Sequence, residues 1–268
     1  MAISLTREHN MKKVILAIAA VTAMTASASA ADLAVKAPPP APAPVYNWTG
    51  FYIFGGGGGG LWAADQNVVT TVGQIPLSIN HRQGGSGWFG TVGLGYDWQW
   101  NGPWVVGLFA DGQFGSIRGT LEDPIGGVIG TVKLQDSWAV GGRVGYLVAP
   151  NVLSYVNGGY SGSHWSGTTL IGALSGAPVA GHTDSFNRNG WFVGGGVENS
   201  LNFFGISSPG WFMKTEYRAA FYDTKSVPLL VDGTNAFVGR DFRFNSWNQT
   251  ISTSLVYRFN WTGAPVRY

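Results

Sequence analysis

From Trp88 to Trp100 the chain reads WFGTVGLGYDWQW, and its side chains alternate in character residue by residue. On a pleated strand Trp88, Val92, Leu94, Tyr96, Trp98 and Trp100 share one face, and Phe89, Thr91, Gly93, Gly95, Asp97 and Gln99 the other. Asn-Gly-Pro at 101–103 is turn chemistry. In WVVGLFADGQF, which follows, Val106, Leu108, Ala110 and Phe114 again oppose Gly107, Phe109, Asp111 and Gln113. Two such strands around a tight turn make a hairpin. The pattern returns in WAVGGRVGYL with VLSYVNGGYSG, in GWFVGGGVEN with WFMKTEYRAAFY, and in WNQTISTSLVYRF. Tyr96, Tyr146, Asn199 and Tyr257 hold matching places at spacings of 50, 53 and 58 residues. Four descending strands, each with an ascending partner, predict about eight strands in an antiparallel order.

Only 11% of the residues are charged, against about 25% in soluble domains. Beyond the N-terminal region the chain has no run of the ~20 apolar residues that a membrane helix needs. Strands that alternate apolar with small or polar residues are the remaining way to cross a bilayer, and they must close, because an open edge in hydrocarbon leaves backbone groups unpaired. Connections after the descending strands are short. Those after the ascending strands are expected to be long loops, at about 62–87, 115–135, 162–189 and 224–245. The expected fold is therefore all-β: an eight-stranded antiparallel transmembrane up-and-down β-barrel.

Lys12 and Lys13, the apolar run from Val14 to Met24 and Ala28-Ser29-Ala30 form a secretory signal cut after Ala30. Residues 1–30 are thus leader and signal peptide. ADLAVKAPPPAPAPVY at 31–46 is a Pro-rich periplasmic spacer, 47–259 the barrel, and 260–268 a C-terminal tail. Without residues 1–30, acidic and basic residues are equal in number and nowhere clustered, which speaks against nucleic acid as a partner. With no cysteine, no disulfide braces the exported chain.

Six glycines, Gly55 to Gly60, follow the aromatic start of the first strand in NWTGFYIFGGGGGGLW. A phosphate-binding loop would continue with Lys-Ser/Thr and a helix; here Leu61 and Trp62 follow. Continued alternation turns Phe51, Ile53 and Leu61 outward and Gly50, Tyr52 and Phe54 inward, with the glycines in the top half of a tightly curved strand.

The same parity sends four acids, Asp97, Asp111, Glu198 and Glu216, and four bases, Arg143, Lys214, Arg218 and Arg258, into the barrel. Charges without water must be paired, so a neutral set of eight reads as a cross-linked plug. Outward Trp98, Trp100, Trp104, Trp211, Tyr257 and Phe259 form an aromatic girdle at the short-turn end. His81, His164 and His182 are expected in surface loops, and Ser163, His164 and Asp184 supply the residue types of a hydrolytic triad without a fixed geometry. Asn47, Asn248 and Asn260 open N-x-T triplets, read as accidental in an exported bacterial chain.

NWTGFY (47–52), GYDWQW (95–100), GLFADGQ (107–113), GGRVGY (141–146), YVNGGY (155–160), VGGGVE (193–198), KTEYR (214–218) and VYRF (256–259) run in order along the chain. By these segments it resembles the porin-like outer-membrane immunogenic proteins of alpha-proteobacteria, related to the membrane domain of outer membrane protein A. Phe109 replaces an acid of the family's G-x-E-A-D pattern, and Asn199 stands where an aromatic is usual. The resemblance implies an outer-membrane barrel without catalytic residues or cofactor. It implies outer-membrane lipid, lipopolysaccharide and the outer-membrane assembly machinery as partners, the last reading a terminal aromatic, Phe259 or Tyr268. Some relatives look like haemin binders, which makes the loop histidines a candidate haem site. The expected role is structural, with surface display and possible host ligands at the loops. The alternatives are a narrow channel for ions or small solutes and a haem-binding surface barrel.

Overall fold

A computed structural model describes residues 47–206 and 208–259. The signal peptide, the spacer at 31–46, the tail at 260–268 with Tyr268, and the Asn260 triplet lie outside the described residues. Ten strands form: β1 (Gly50–Thr70), β2 (His81–Trp100), β3 (Trp104–Asp123), β4 (Val128–Ala149), β5 (Val152–Trp165), β6 (Thr168–Gly172), β7 (Pro178–Thr183), β8 (Phe186–Ser200), β9 (Trp211–Val231) and β10 (Phe237–Arg258). Eight of them pair antiparallel in the ring β10-β1-β2-β3-β4-β5-β8-β9, which β9–β10 closes. The turns at 101–103 and 150–151 and the segment 201–210 lie at the end where β1 begins and β10 ends. Asn101 and Gly102 adopt φ of 48° and 78° in the first of these turns.

The four expected long loops do not exist as such. The strands climb on, leaving only 71–80, 124–127, 166–185 and 232–236 as connections. Alternation persists in these upper parts with its polarity reversed. In β3, Ile117 and Leu121 point in and Ser116, Arg118 and Thr120 out; in β4, Val132 and Leu134 point in and Thr131 and Lys133 out. A pattern keyed to greasy-out strands breaks off where this begins, and that is why the upper strands read as loop. The third connection carries the hairpin β6–β7. β6 pairs with β4 at Val128–Gly130, and β7 with β9 at Leu230–Val231. β5 and β8 are the short members of the ring, so the hairpin continues the wall above them.

Two interior clusters follow. The lower one contains Trp48, Tyr52, Phe54, Phe109, Tyr155, Phe192 and Phe212 around buried charges; the upper is apolar, with Trp62, Phe89, Leu134, Trp165, Phe186 and Phe242. Trp62 packs edge-on to Trp165 at 5.3 Å, and Trp165 stacks on Phe186 at 6.1 Å. The interior is therefore an ionic plug only in its lower part.

The glycine run is strand, at Gly55–Gly60 of β1, below its upper half rather than in it. At Gly56 and Gly58 a Cβ would sit 2.1 Å from the carbonyl oxygens of Thr253 and Ile251 on β10. Only residues without a side chain let β10 approach there.

Candidate functional site: the charged interior and the outer aromatic belts

Period-two alternation on long tilted strands brings the eight inward charges to two adjacent levels. Asp97, Arg143, Glu198 and Arg258 stand on β2, β4, β8 and β10, every second strand of the ring. Arg143 donates from Nε to Asp97 Oδ1 at 2.9 Å and from Nη1 to Glu198 Oε2 at 3.0 Å. Arg258 donates to Glu198 Oε1 from Nε and Nη2 at 2.9 and 2.7 Å, and its Nη2 lies 2.8 Å from Asp97 Oδ2. These four side chains are at most 4% exposed. Two acids and two bases thus cross-link four strands with no net charge.

The second group joins β3 to β9. Arg218 holds Asp111 in a two-pronged bond at 2.9 and 2.6 Å and also donates to Glu216 Oε1 at 2.7 Å. Tyr155 donates to Glu216 Oε2 at 2.8 Å, and Lys214 Nζ stands 3.7 Å from the same oxygen. Aromatic faces back the cations: Arg143 lies over Tyr52 at 4.5 Å, Arg258 over Trp48 at 4.5 Å, Arg218 over Phe192 at 4.7 Å and Lys214 over Phe54 at 3.3 Å. Each such contact contributes about 2 kcal/mol when desolvated. Glycines make room for the rings: a Cβ at Gly95 would lie 2.4 Å from the Tyr52 hydroxyl.

Arg188 on β8 is a further inward cation that parity would have found, had 162–189 been read as strand. It is buried and donates to Ser246 Oγ and to the carbonyls of Asp223 and Phe244, with its guanidinium 4.8 Å above the Phe244 ring. The β9–β10 register shifts at this point, with Asp223 and Thr224 facing Asn245 alone. Arg188 satisfies carbonyls at that bulge.

Other candidate groups are dispersed. Ser163 faces inward and accepts from Trp165 Nε1 at 3.0 Å, while His164 faces outward with Nδ1 2.6 Å from Asn187 Oδ1. Asp184 lies 3.8 Å from His182 instead. The three residues do not form a triad. Among the described residues no histidine lies in an open loop: His81 begins β2, His164 is in β5 and His182 in β7. Each ring has its own neighbour, Ile79 O for His81 and Asp232 for His182, because the strands run further up than the alternation indicated.

On the outer wall Trp98, Trp100, Trp104, Trp211 and Phe259 are exposed, and Tyr257 is half-buried between Trp211 and Phe259 at 5.1 and 5.2 Å. A second belt, not anticipated from the sequence, comprises Trp88, Phe114, Trp138, Tyr160, Trp191 and Phe221, with Trp191 and Phe221 stacked at 4.5 Å. Trp88 and Trp98 are ten residues apart on one strand, which at ~3.3 Å per residue and a tilt of about 40° separates the belts by about 25 Å. Between them the outward side chains are mostly apolar, among them Val92, Leu94, Val106, Leu108, Val140, Val144, Val193, Ile251 and Leu255, and the hydroxyls of Thr215 and Thr253 lie 3.1 Å apart, bonded to each other. That is the height of the apolar band on outer-membrane barrels.

The sequence pattern of the outer membrane protein β-barrel domain matches residues 16–259. The chain belongs to this outer-membrane β-barrel family. It is 30% identical over 258 residues to the 31 kDa outer-membrane immunogenic protein of Brucella melitensis, a match spanning 93% of this chain and all of the relative. The protein of that description in Brucella suis matches equally. Among solved structures, OprG of Pseudomonas aeruginosa is similar with a TM-score of 0.47 and 10% identity, over 81% of this chain and all of that one. The outer membrane protease OmpT of Escherichia coli gives 0.42 and 10%, over 81% and 99%. This family member is an outer-membrane β-barrel, and its cellular place is the outer membrane.

Proposed function

We infer that the barrel is a closed, non-enzymatic anchor that strengthens the outer membrane and holds a rigid extension above it for surface contact. The two aromatic belts mark the headgroup levels, and the strands above the upper belt stand clear of the lipid. The observation that carries this reading is the filled bore: two neutral groups of buried charges tie β2, β4, β8 and β10 together and β3 to β9. Such a lower interior, topped by an apolar one around Trp62 and Trp165, leaves little for a solute to pass. In outer-membrane barrels short turns face the periplasm, which directs the 71–80, 124–127, 166–185 and 232–236 connections outward. The kinship with immunogenic outer-membrane proteins supports exposure at the surface.

The test is single-channel recording in planar bilayers together with labelling of intact cells. The expected results are no stable conductance and ready labelling of a cysteine placed at Leu174. A steady ion-selective current lost in Arg143→Ala would overturn the closed reading in favour of a narrow ion path. One observation favours that second reading: both amide atoms of Asn157, inside the barrel, are buried without a protein partner, as groups that bind internal water are.

A further inference from the structure

The outermost connections have a chemistry unlike the wall below them. Residues 71–80, 124–127, 173–177 and 232–236 contain one charged residue between them, Asp232. Its carboxylate lies 2.6 Å from Nδ1 of His182. Asp123 and Asp241, at the adjoining strand ends, turn inward onto partners. Asp123 pairs with Arg240 at 3.1 Å, and Asp241 accepts from Thr71 Oγ1 at 2.7 Å and Gln74 Nε2 at 2.9 Å. The outer wall beneath carries exposed Arg82, Arg118, Asp223, Lys225 and Arg243.

Large apolar side chains stand on this crown, whose one charge is Asp232, and just beside it. Val72 is 86% exposed, Ile79 85% and Leu174 104%, with Ile75, Ile125 and Phe237 also in solvent. They come from three of the connections and, with Phe237, from the start of β10, and they stand out singly rather than lining a shared groove. The backbone beneath them is fixed. Ile125 and Gly126 donate to Asp123 Oδ1 at 2.9 Å, Leu77 N bonds to Val68 O at 2.8 Å, and Gly172 and Ala177 close the hairpin tip at 2.8 Å.

Resting on the surface-contact reading above, we propose that this crown inserts into an opposing lipid bilayer with a zwitterionic outer face. Convex, separate apolar points on three connections and one strand end would require a protein receptor to supply a matched hole for each. A fluid acyl phase accepts them in any arrangement, as it does the apolar side of interfacial anchors. The missing basic residues set the lipid class, because anionic surfaces recruit through Lys and Arg and these tips have none. The crown stands about 20–25 Å above the upper aromatic belt, given nine residues from Leu61 to Thr70 at ~3.3 Å each and a tilt of about 40°. That clears the barrel's own membrane.

The test uses the full-length protein in nanodiscs, mixed with phosphatidylcholine vesicles and separated by flotation. The wild type is expected to float with the vesicles, with little change between roughly 0.05 and 0.5 M salt. The triple variant Val72→Asp, Ile79→Asp, Leu174→Asp is expected to lose at least about tenfold in partition. Heat-modifiable migration on gels should remain, since these side chains bury nothing. As a readout independent of that variant, Leu174→Cys carrying an environment-sensitive dye should brighten with the vesicles and be quenched by spin-labelled acyl chains. The proposal is overturned by no flotation of the wild type, by flotation abolished by salt, or by equal flotation of the triple variant. Binding only to cell surfaces, and lost when those cells are treated with protease, also overturns it and points to a protein receptor. If Leu174→Cys is labelled on intact cells but never reports lipid, the lipid partner falls and surface display stands. If it is not labelled on intact cells, display itself falls.

Discussion

Asp111 on β3 and Arg218 on β9 meet across the width of the barrel, four places apart in a ring of eight, through paired bonds of 2.9 and 2.6 Å. Each is nearly removed from solvent, so neither can exchange its partner for water. Asp111→Ala leaves Arg218 only Glu216, which Lys214 shares, so the buried group becomes net positive, and it is expected to lower stability by about 3–5 kcal/mol. Replacing both, as Asp111→Leu with Arg218→Met, should cost clearly less than the single change, because no charge is left unpaired. Urea unfolding in lipid micelles checks this; a double variant as damaged as the single one would refute the account.

Neighbouring glycines in β1 should behave oppositely. Gly58→Ala would press a methyl against the Ile251 carbonyl oxygen, whereas at Gly59 the new carbon makes ordinary contacts alone, with Trp88 at 3.7 Å and the Gly87 carbonyl oxygen at 3.8 Å. Gly58→Ala is therefore expected to hinder closure of β1 on β10 and diminish the heat-modifiable species on gels, while Gly59→Ala folds as the parent does. Equal yields of the two would remove the steric explanation of the run.

The two belts predict where an outward charge is tolerated. Leu94→Arg lies between them and is expected to cost about 2–4 kcal/mol. Thr131→Arg lies on the outer wall of the extension, beside Lys133, and should change stability by less than about 0.5 kcal/mol. Equilibrium folding into vesicles of each variant provides the measurement, and similar penalties would misplace the boundary.

Trp165, 1% exposed, joins Trp62 to Phe186 inside the extension. Trp165→Ala is expected to cost about 3–5 kcal/mol and to loosen the upper strands first. Limited proteolysis should then cut within 62–70 or 128–134 while the banded lower barrel survives. Cleavage confined to the lower turns, or none, would mean that the extension does not depend on this aromatic stack.

What could be read in advance follows from how far one rule of polarity held. Asp97, Arg143 and Arg258 lie at inward positions that alternation places without ambiguity, because their strands are apolar on the other side. Above Trp88 and Phe114 the apolar residues change sides, so Arg188 was missed with the strand end that bears it; Trp88 and Phe114 read as outward, but the belt they complete with Trp138, Tyr160, Trp191 and Phe221 shows only once the strands stand side by side. The hairpin β6–β7 was hidden for a different reason. TTLIG and PVAGHT are too short, and too mixed with proline and glycine, for period two to stand out. Which acid meets which base was not legible either, since that depends on the tilt that brings β3 level with β9.

The change of sides along each strand has a bearing on assembly. A strand threaded one residue out of step would drive Arg118 or Lys133 into the apolar interior above, and in the same motion would push Asp111 or Arg143 into the acyl chains below. Every slip by an odd number of residues is thus penalised at two heights by unrelated solvents. Insertions within these strands should persist through descent in pairs, or singly where a bulge such as that at Asp223–Thr224 takes up the odd residue, whereas the crests are free to lengthen by any number.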